Sequence, residues 1–310
     1  MQCSKRVWKQ ENKRIQMKIT NVHNLPQTIV NVLKRPTYTK GKANISATEL
    51  LSPPRIVQLK RKHWDDIEED ASSMVWSLFG SAIHGVLEHG KDINHLVEER
   101  LHAEVDGWKI SGAIDLQEVE EDGIVISDYK TTGAWSVMNE KEDWHNQLNI
   151  YAWLVETVKG KPVKKLQIVA IIRDWAKRDT VKEGYPQAPI VVLDIPLWDY
   201  AKREEFIKNR IAEHSNAYFE SETEGALPYC NPDDMWEKPT RYAVMKPGNV
   251  RAKSVHETQE DAQHQLNQLK GYVMEVRIGE RSRCESYCSV SKFCNQYQEY
   301  LESKNESGGA

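Results

Sequence analysis

Two aspartates and one lysine are spaced in this chain so that they could share one metal site. Asp115 lies in an apolar segment, residues 108–119, and Asp128 and Lys130 lie in a second segment, residues 124–131. Side chains alternate between the two faces of a strand, so an antiparallel pair of these segments would place all three on one face. Opposite and diagonal positions in such a pair lie about 5 to 8 Å apart. Two carboxylates at that spacing can hold one hard cation.

The residues between the two segments predict a hairpin. Glu121-Asp122-Gly123 has the composition of a turn, and a two-residue loop there would pair Asp115 with Lys130. The same register would pair Asp128 with Gln117, and a shift by two residues would keep the charged side chains on one face. The alternative is an exposed hairpin with an ordinary ion pair, which is common and weak. The many isoleucines and valines favour interior strands, where clustered ionisable groups indicate a functional site.

A predicted helix upstream carries a histidine that could join this site. Apolar residues follow helical spacing over residues 74–89, and the opposite stripe carries Ser77, Ser81, His84 and Glu88. The small serines would allow another element to approach closely, with His84 and Glu88 projecting one turn apart. The alternative is a surface histidine with a glutamate four residues later.

A second predicted helix carries a glutamine and a tyrosine on one face. Residues 142–158 are mostly apolar, and Gln147 and Tyr151 are four residues apart. A core tyrosine with a hydrogen-bonded hydroxyl is the alternative to a functional role.

Taken together, these segments resemble a known family. The motifs, in chain order, are Gly80-x-x-x-His84, Gly112-x-Ile114-Asp115, Asp128-Tyr129-Lys130 and Gln147-x-x-x-Tyr151. They resemble the RecB-like branch of the PD-(D/E)XK nuclease superfamily, which includes phage and CRISPR-associated exonucleases with a C-terminal cysteine cluster. The resemblance implies an α/β fold: a restriction-endonuclease-like core with a mixed central sheet flanked by helices, followed by a cysteine-clamped subdomain.

The resemblance also implies a role for each site residue. Asp115 corresponds to the first metal-binding aspartate, Asp128 to the second acidic position and Lys130 to the motif lysine. His84 and the main-chain carbonyl of Tyr129 would complete the ligands of Mg²⁺ or Mn²⁺, which prefer oxygen ligands. The motif lysine would orient the attacking water and stabilise the transition state.

Further residues have less direct roles by the same resemblance. Glu88 would support the histidine or bind a second ion, and Gln147 and Tyr151 would face the DNA backbone.

The function implied is a metal-dependent deoxyribonuclease, most simply an exonuclease on DNA ends or single strands, in recombination, repair or phage DNA processing. The alternative is a catalytically silent DNA-binding or CRISPR-linked accessory protein of the same fold. A helicase or recombination partner would be another chain, and an oligomer is compatible with this activity.

Three cysteines near the C terminus form a separate cluster. Cys284, Cys288 and Cys294 fall within eleven residues of a chain that has five cysteines in all, and this spacing favours metal ligands over disulfides. Cys230 is the predicted fourth ligand, because Cys3 lies in a charged leader. Related nucleases carry a 4Fe-4S cluster on such cysteines, but their lone cysteine precedes the nuclease motifs. Zinc, in a zinc-stabilised interaction protein, and metal-free structural cysteines are the alternatives.

The composition predicts a protein without a membrane span and without a global basic surface. Lys and Arg total 42 against 46 acidic residues, so DNA contact would depend on local patches. The candidate patch precedes the histidine helix and contains Arg55, Lys60, Arg61 and Lys62; its alternative is a solvated helix face. We expect a cytoplasmic location, in a bacterial or phage-infected cell.

The predicted organisation has three parts. Residues 1–43 form a charged leader, residues 44–224 the nuclease core, and residues 225–310 a cysteine-cluster region with an inserted arm. The division after residue 224 follows a change in composition, because four prolines fall between residues 228 and 247.

Overall fold

The structure is a computed structural model that describes residues 17–34, 40–139, 141–223 and 225–308. Much of the predicted leader, including Cys3, lies outside the described residues. By internal contacts the chain divides into two compact units. The first contains the described residues up to Val57 and the segment Trp64–Ala226, and the second contains Gln58–His63 and the chain from Leu227 onward.

The elements of the first unit alternate between strands and helices. Its strands are β1 (Lys18–Thr20), β2 (Ile45–Ser46), β3 (Glu68–Asp70), β4 (His95–Val105), β5 (Trp108–Val119), β6 (Ile124–Thr132), β7 (Val163–Ile172) and β8 (Ile190–Ile195). Its helices are α1 (Gln27–Leu33), α2 (Ala47–Leu51), the first part of α3 (Pro54–Lys62), α4 (Val75–Leu87), α5 (Ala134–Met138), α6 (Glu142–Lys159) and α7 (Tyr200–Glu222). The predicted mixed α/β core is confirmed.

A six-stranded mixed sheet forms the centre of this unit. Strand β4 pairs along one edge of β5, and β2 and β6 pair with different parts of its other edge. Strands β7 and β8 follow β6 in the sheet. Strand β4 runs antiparallel along nearly all of β5, whereas β2 pairs only with Ile110 and Ser111, and β6 pairs only with residues 116–119. Residues 112–115 of β5 therefore face a gap between β2 and β6. Asp115 lies in this gap.

The observed register of the β5–β6 hairpin differs from the predicted one by two residues. Val119 pairs with Ile124, so the loop has four residues rather than two. The N–H of Glu120 donates to the carbonyl of Gly123 at 2.9 Å, and Lys164 contacts both Glu120 and Asp122. These contacts stabilise the longer loop, which explains the shift.

The corrected register brings the two aspartates opposite each other. Paired residues end at Leu116 and Ser127, so Asp115 and Asp128 are the next positions on the two strands. The predicted pairing of Asp115 with Lys130, and of Asp128 with Gln117, is wrong. Because the shift is two residues, it preserves the alternation of side chains between faces.

Helix α6 is the central helix of the core. Leu148, Trp153 and Leu154 are fully buried, and the helix contacts strands β4 to β8 and helix α7. Gly112 is required where α6 crosses β5, since a Cβ there would lie 2.7 Å from Leu154 Cδ1 and 2.9 Å from Tyr151 Cε1. The absence of a side chain at Gly112 thus lets α6 approach the sheet beside the gap.

The second unit is smaller. Its strands are β9 (Glu237–Lys238), β10 (Arg241–Met245), β11 (Ser254–His256), β12 (Val273–Arg277) and β13 (Glu280–Arg281), and its helices are α8 (Gln259–Leu266), α9 (Ser282–Ser286) and α10 (Asn295–Gly308). Strand β10 pairs antiparallel with β11 and β12, and α8 packs on this sheet. No helix in the described ranges of either unit combines the length and apolar character needed to cross a bilayer.

Candidate active site

Three potential metal ligands meet at the gap in the central sheet. One ligand atom each from His84, Glu98 and Asp115 lies within 4.8 Å of the other two, and this is the one such group of histidine, cysteine and acidic side chains in the described part of the chain. His84 comes from α4, Glu98 from β4 and Asp115 from β5. The sequence predicted two of these three residues; Glu98 was missed.

His84 is held by contacts to both of its ring nitrogens. Its Nε2 lies 3.0 Å from the main-chain carbonyl of Tyr129, while its Nδ1 lies 3.4 Å from Glu98 Oε1 and 3.6 Å from Asp115 Oδ1. The hydrogen bond with Glu98, aided by the charge of Asp115 and the carbonyl of Tyr129, raises the pKa of His84 to about 9 despite its partial burial. A protonated imidazole therefore balances these carboxylates when no other cation does.

Asp115 is a buried carboxylate fixed by the main chain of the neighbouring strand. It is 7% exposed, and its Oδ2 accepts a hydrogen bond from the N–H of Tyr129 at 2.8 Å. Burial, followed by repulsion from the charge of Asp128, raises the pKa of Asp115 to about 7. Two carboxylates this close and this poorly solvated need a positive charge between them.

Asp128 begins a chain of polar contacts that leads into α6. Its Oδ2 lies 2.7 Å from Lys130 Nζ, and its Oδ1 accepts from Gln147 Nε2 at 3.3 Å. Lys130 also donates to Gln147 Oε1 at 3.0 Å, and the Gln147 amide contacts the Tyr151 hydroxyl at 2.7 Å. The structure therefore brings the predicted lysine, glutamine and tyrosine together with the second aspartate.

This donor set fits a hard divalent cation. The carboxylates of Glu98 and Asp115 and the Nδ1 atom of His84 converge on one small region, and oxygen-rich sets of this kind suit Mg²⁺ or Mn²⁺. A proton on His84 or on Asp115, which the raised pKa values favour, offsets negative charge that a bound cation would also offset.

Glu98 lies directly across β4 and β5 from Asp115. The register pairs Val97 with Leu116 and Glu99 with Ile114, which leaves Glu98 opposite Asp115 between them. Its φ of +50° is unusual for a residue with a side chain. Backbone strain of this kind, worth on the order of 1 kcal/mol, is concentrated at functional sites.

Two other predicted residues are placed less favourably for their roles. Glu88 is exposed at the end of α4, where it lines a cleft with His95 and Glu98; it is Glu98, not Glu88, that contacts His84. Arg55 is only 2% exposed, so its guanidinium group is withdrawn from the surface and the predicted DNA contact does not suit it. By contrast, the three basic residues at the end of α3, Lys60, Arg61 and Lys62, are exposed.

We predict that Glu98→Gln lowers the pKa of His84 from about 9 toward its ordinary value near 6.5, because the mutation removes the carboxylate that most stabilises the imidazolium. The measurement is an NMR titration of the His84 ring in metal-free protein. In the wild type, the stabilisation from this raised pKa is complete below pH 6.5 and is lost as the pH rises through 9. Glu118→Gln, which removes a partner of His95 instead, is the matched control. An unchanged His84 titration in Glu98→Gln would contradict the prediction.

The cysteines lie in the second unit. Burial, and then the neighbouring Cys288 and Cys294, raise the pKa of Cys284 to about 11, and burial also raises the pKa of Cys288. The charges of Arg283 and Lys60 act on Cys288 in the opposite direction. Cys230, Cys284 and Cys288 are half-buried, and Cys294 is buried.

The backbone of Cys230 is hydrogen-bonded to a residue just after the last clustered cysteine. The side chain of Gln296 accepts from the N–H of Cys230 at 2.9 Å and donates to its carbonyl at 2.8 Å. Gln296 is itself buried and follows Cys294 by two residues. This pair of hydrogen bonds fixes the backbone of Cys230 beside the segment that carries the last of the three clustered cysteines.

Comparisons with known proteins identify the family of this chain. A stretch of 60 residues is 45% identical to an ATP-dependent helicase/nuclease subunit from Carboxydothermus hydrogenoformans, and it spans 18% of this chain and only 5% of that protein. The crystal structure of SSO0001 matches 60% of this chain and 82% of its own length, with 20% identity and a TM-score of 0.41. The sequence model of the PD-(D/E)XK nuclease superfamily matches residues 41–295, which include every residue of the candidate site. This chain belongs to the PD-(D/E)XK nuclease superfamily.

Proposed function

We propose that the chain is a Mg²⁺- or Mn²⁺-dependent deoxyribonuclease, specifically an exonuclease that hydrolyses DNA from its ends. The observation that supports this most directly is the convergence of His84, Glu98 and Asp115 beside the Asp128–Lys130 pair. A structural scaffold gains nothing from burying two aspartates opposite each other, because their repulsion costs stability. A phosphodiesterase needs them to hold a cation.

The side chains divide the work between binding the ion and placing the phosphate. His84, Glu98, Asp115 and Asp128 would hold the cation with the carbonyl of Tyr129, and the bound ion would stabilise negative charge on the phosphate and activate water for attack. Lys130 projects its ammonium beside these ligands, where it can attract a phosphate oxygen and stabilise the charge that develops in the transition state.

Gln147 positions the lysine. Its carbonyl oxygen accepts from Lys130 Nζ, and its amide nitrogen reaches Asp128 and Tyr151. Because Gln147 contacts both Asp128 and Lys130, it sets the orientation of the proposed metal ligand relative to the lysine.

The direct test is degradation of end-labelled linear DNA in the presence of Mg²⁺, with a closed circular DNA of the same sequence as the control. We expect release of label from the linear molecule, no loss of the circle, and no activity in EDTA. Cleavage of the circle would show an endonuclease, and stable linear DNA across a range of Mg²⁺ and Mn²⁺ concentrations would instead support the silent accessory protein.

We further propose that Cys230, Cys284, Cys288 and Cys294 bind a 4Fe-4S cluster, with zinc as the alternative. Support comes from Cys288 and Cys294, which add to the raised pKa of Cys284, and from the two hydrogen bonds between Gln296 and the backbone of Cys230. Four soft thiolates suit either metal centre, and Arg283 and Lys60 would reduce the cost of their charge.

We predict that Cys230→Ser lowers the melting temperature of anaerobically purified protein, whereas Cys3→Ser, the matched control, does not. A closed structural metal site contributes folding free energy that is lost with one ligand. Brown protein with absorption near about 400 nm indicates the cluster, and colourless protein with stoichiometric zinc indicates zinc. If Cys3→Ser were the destabilising change, Cys230 would not be the fourth ligand.

The partners proposed for this chain are DNA and a motor on another chain. The matched relative is named as a helicase/nuclease subunit, which suggests that a nuclease unit of this kind can work beside a helicase. Lys60, Arg61 and Lys62 are exposed at the end of α3, and we propose that they contact DNA phosphates.

A further inference from the structure

Two exposed tryptophans lie near one end of the strand that carries the candidate site. Trp76 in α4 is 58% exposed, and Trp135 in α5 is 67% exposed. A single exposed apolar residue is ordinary, but neighbouring large ones indicate an interaction surface. Neither tryptophan belongs to the metal-binding group described above.

Contacts along α4 determine where Trp76 lies. His84 contacts the carbonyl of Tyr129, and Gly80, one turn earlier in the helix, lies so close to β6 that a Cβ there would be 3.4 Å from Thr131 Oγ1. Helix α4 therefore runs antiparallel to β6. Trp76, one further turn toward the start of the helix, lies at the C-terminal end of that strand.

Arg173, just after β7, connects the two tryptophans. Its guanidinium carbon lies 4.3 Å from the centroid of a Trp76 ring, and its N–H donates to the carbonyl of Thr132 at 2.9 Å. The next residue, Asp174, accepts the first N–H of α5 at 2.7 Å. Because α5 carries Trp135, these contacts fix the Trp76 ring and the backbone of Trp135 relative to the end of β6.

We propose that Trp76, Trp135 and Arg173 form a platform on which unpaired DNA bases stack. Every base has a π face, so aromatic rings bind single strands with little sequence preference, and an arginine on the ring adds cation–π and phosphate contacts. The platform begins about 7 Å beyond Lys130, since Thr132 is two residues further along β6. A strand stacked here would pass over the lysine and the metal ligands.

This inference names a substrate class for the proposed nuclease and rests on that function for its link to cleavage. In a duplex each base pair stacks on its neighbours, so only the terminal pair has a free face, whereas an unpaired strand can offer a face at every base. The platform therefore selects single-stranded DNA, or a single-stranded end of a duplex, over a blunt duplex.

The test is fluorescence anisotropy with a labelled oligothymidylate and with a labelled blunt hairpin duplex, both in Ca²⁺ so that binding is read without cleavage. We expect Trp76→Ala and Trp135→Ala each to weaken binding of the oligothymidylate by about 5-fold or more, with less effect on the duplex. Trp76→Phe and Trp135→Phe keep an aromatic face and should keep most of the affinity. The control is Phe219→Ala, which removes an equally exposed aromatic ring, 59% exposed, from α7.

The outcomes separate this inference from the nuclease proposal. Wild-type affinity for the oligothymidylate in both alanine variants, or an equal loss for strand and duplex, overturns the platform even if the enzyme cleaves DNA. In the first case the tryptophans would form a protein-binding surface. Conversely, a protein that binds the oligothymidylate through Trp76 and Trp135 but cleaves no DNA in Mg²⁺ or Mn²⁺ overturns the nuclease proposal alone.

Discussion

Asp115→Asn should reduce DNA cleavage by at least about 10³-fold while leaving the protein folded. The carboxylate lies within the group of three ligand atoms formed with His84 and Glu98, and a bound cation supplies several kcal/mol of charge stabilisation to the transition state. A loss of about 4 kcal/mol corresponds to three orders of magnitude in rate. The asparagine oxygen can still accept the N–H of Tyr129, which Asp115 Oδ2 accepts at 2.8 Å.

Stability should change in the opposite direction to activity. In metal-free protein the asparagine removes a carboxylate whose burial and repulsion with Asp128 raise its pKa to about 7, so the melting temperature should be unchanged or higher at pH 8. The measurements are turnover of end-labelled DNA at saturating Mg²⁺ and thermal unfolding in EDTA. Asp194→Asn, at an exposed carboxylate on β8 that pairs with Lys165, is the matched control. Cleavage within 10-fold of wild type would remove Asp115 from the proposed metal site.

The strands and helices around the site follow closely from sequence pattern. The apolar segments predicted at residues 108–119 and 124–131 are strands β5 and β6, and the helix predicted at residues 142–158 is observed at Glu142–Lys159. Hydrophobic periodicity reports burial, and burial decides these elements. The predicted register of the hairpin was wrong because the loop length depends on contacts that Glu120 and Asp122 make with Lys164. Lys164 lies 42 residues after Asp122, so the local sequence does not reveal these contacts.

Glu98 could not be found from pattern alone, although part of its strand could. Leu101, Ala103 and Val105 are buried and alternate with polar residues, which is the signature of a half-buried strand. The alternation fails at Glu98 and Glu99, where two adjacent carboxylates look like exposed surface. Glu98 enters the site through its left-handed backbone and its position opposite Asp115, and both are properties of the pairing between strands rather than of the local sequence.

Lys130→Met should lower turnover by about 10²- to 10³-fold without weakening metal binding. The ammonium offers charge to a phosphate oxygen as the transition state forms, and loss of one such positioned donor has an effect of this size. Methionine keeps much of the length and the apolar stem of the lysine. A fall in kcat, with half-saturation at the same or a lower Mg²⁺ concentration than in the wild type, is the expected kinetic result.

The same variant should become more dependent on the metal for its stability. Lys130 Nζ lies 2.7 Å from Asp128 Oδ2, and Asp128 is 2% exposed, so without the lysine a buried carboxylate loses its partner at a cost of about 3 to 5 kcal/mol. A divalent cation bound beside Asp128 replaces that positive charge. Mg²⁺ or Mn²⁺ should therefore raise the melting temperature of Lys130→Met more than that of the wild type, whereas Lys165→Met, which breaks the exposed pair with Asp194, should respond like the wild type. An equal metal-induced rise in all three proteins would mean that the cation and Lys130 do not act on the same carboxylate, and the proposed arrangement of ligand and lysine would fail.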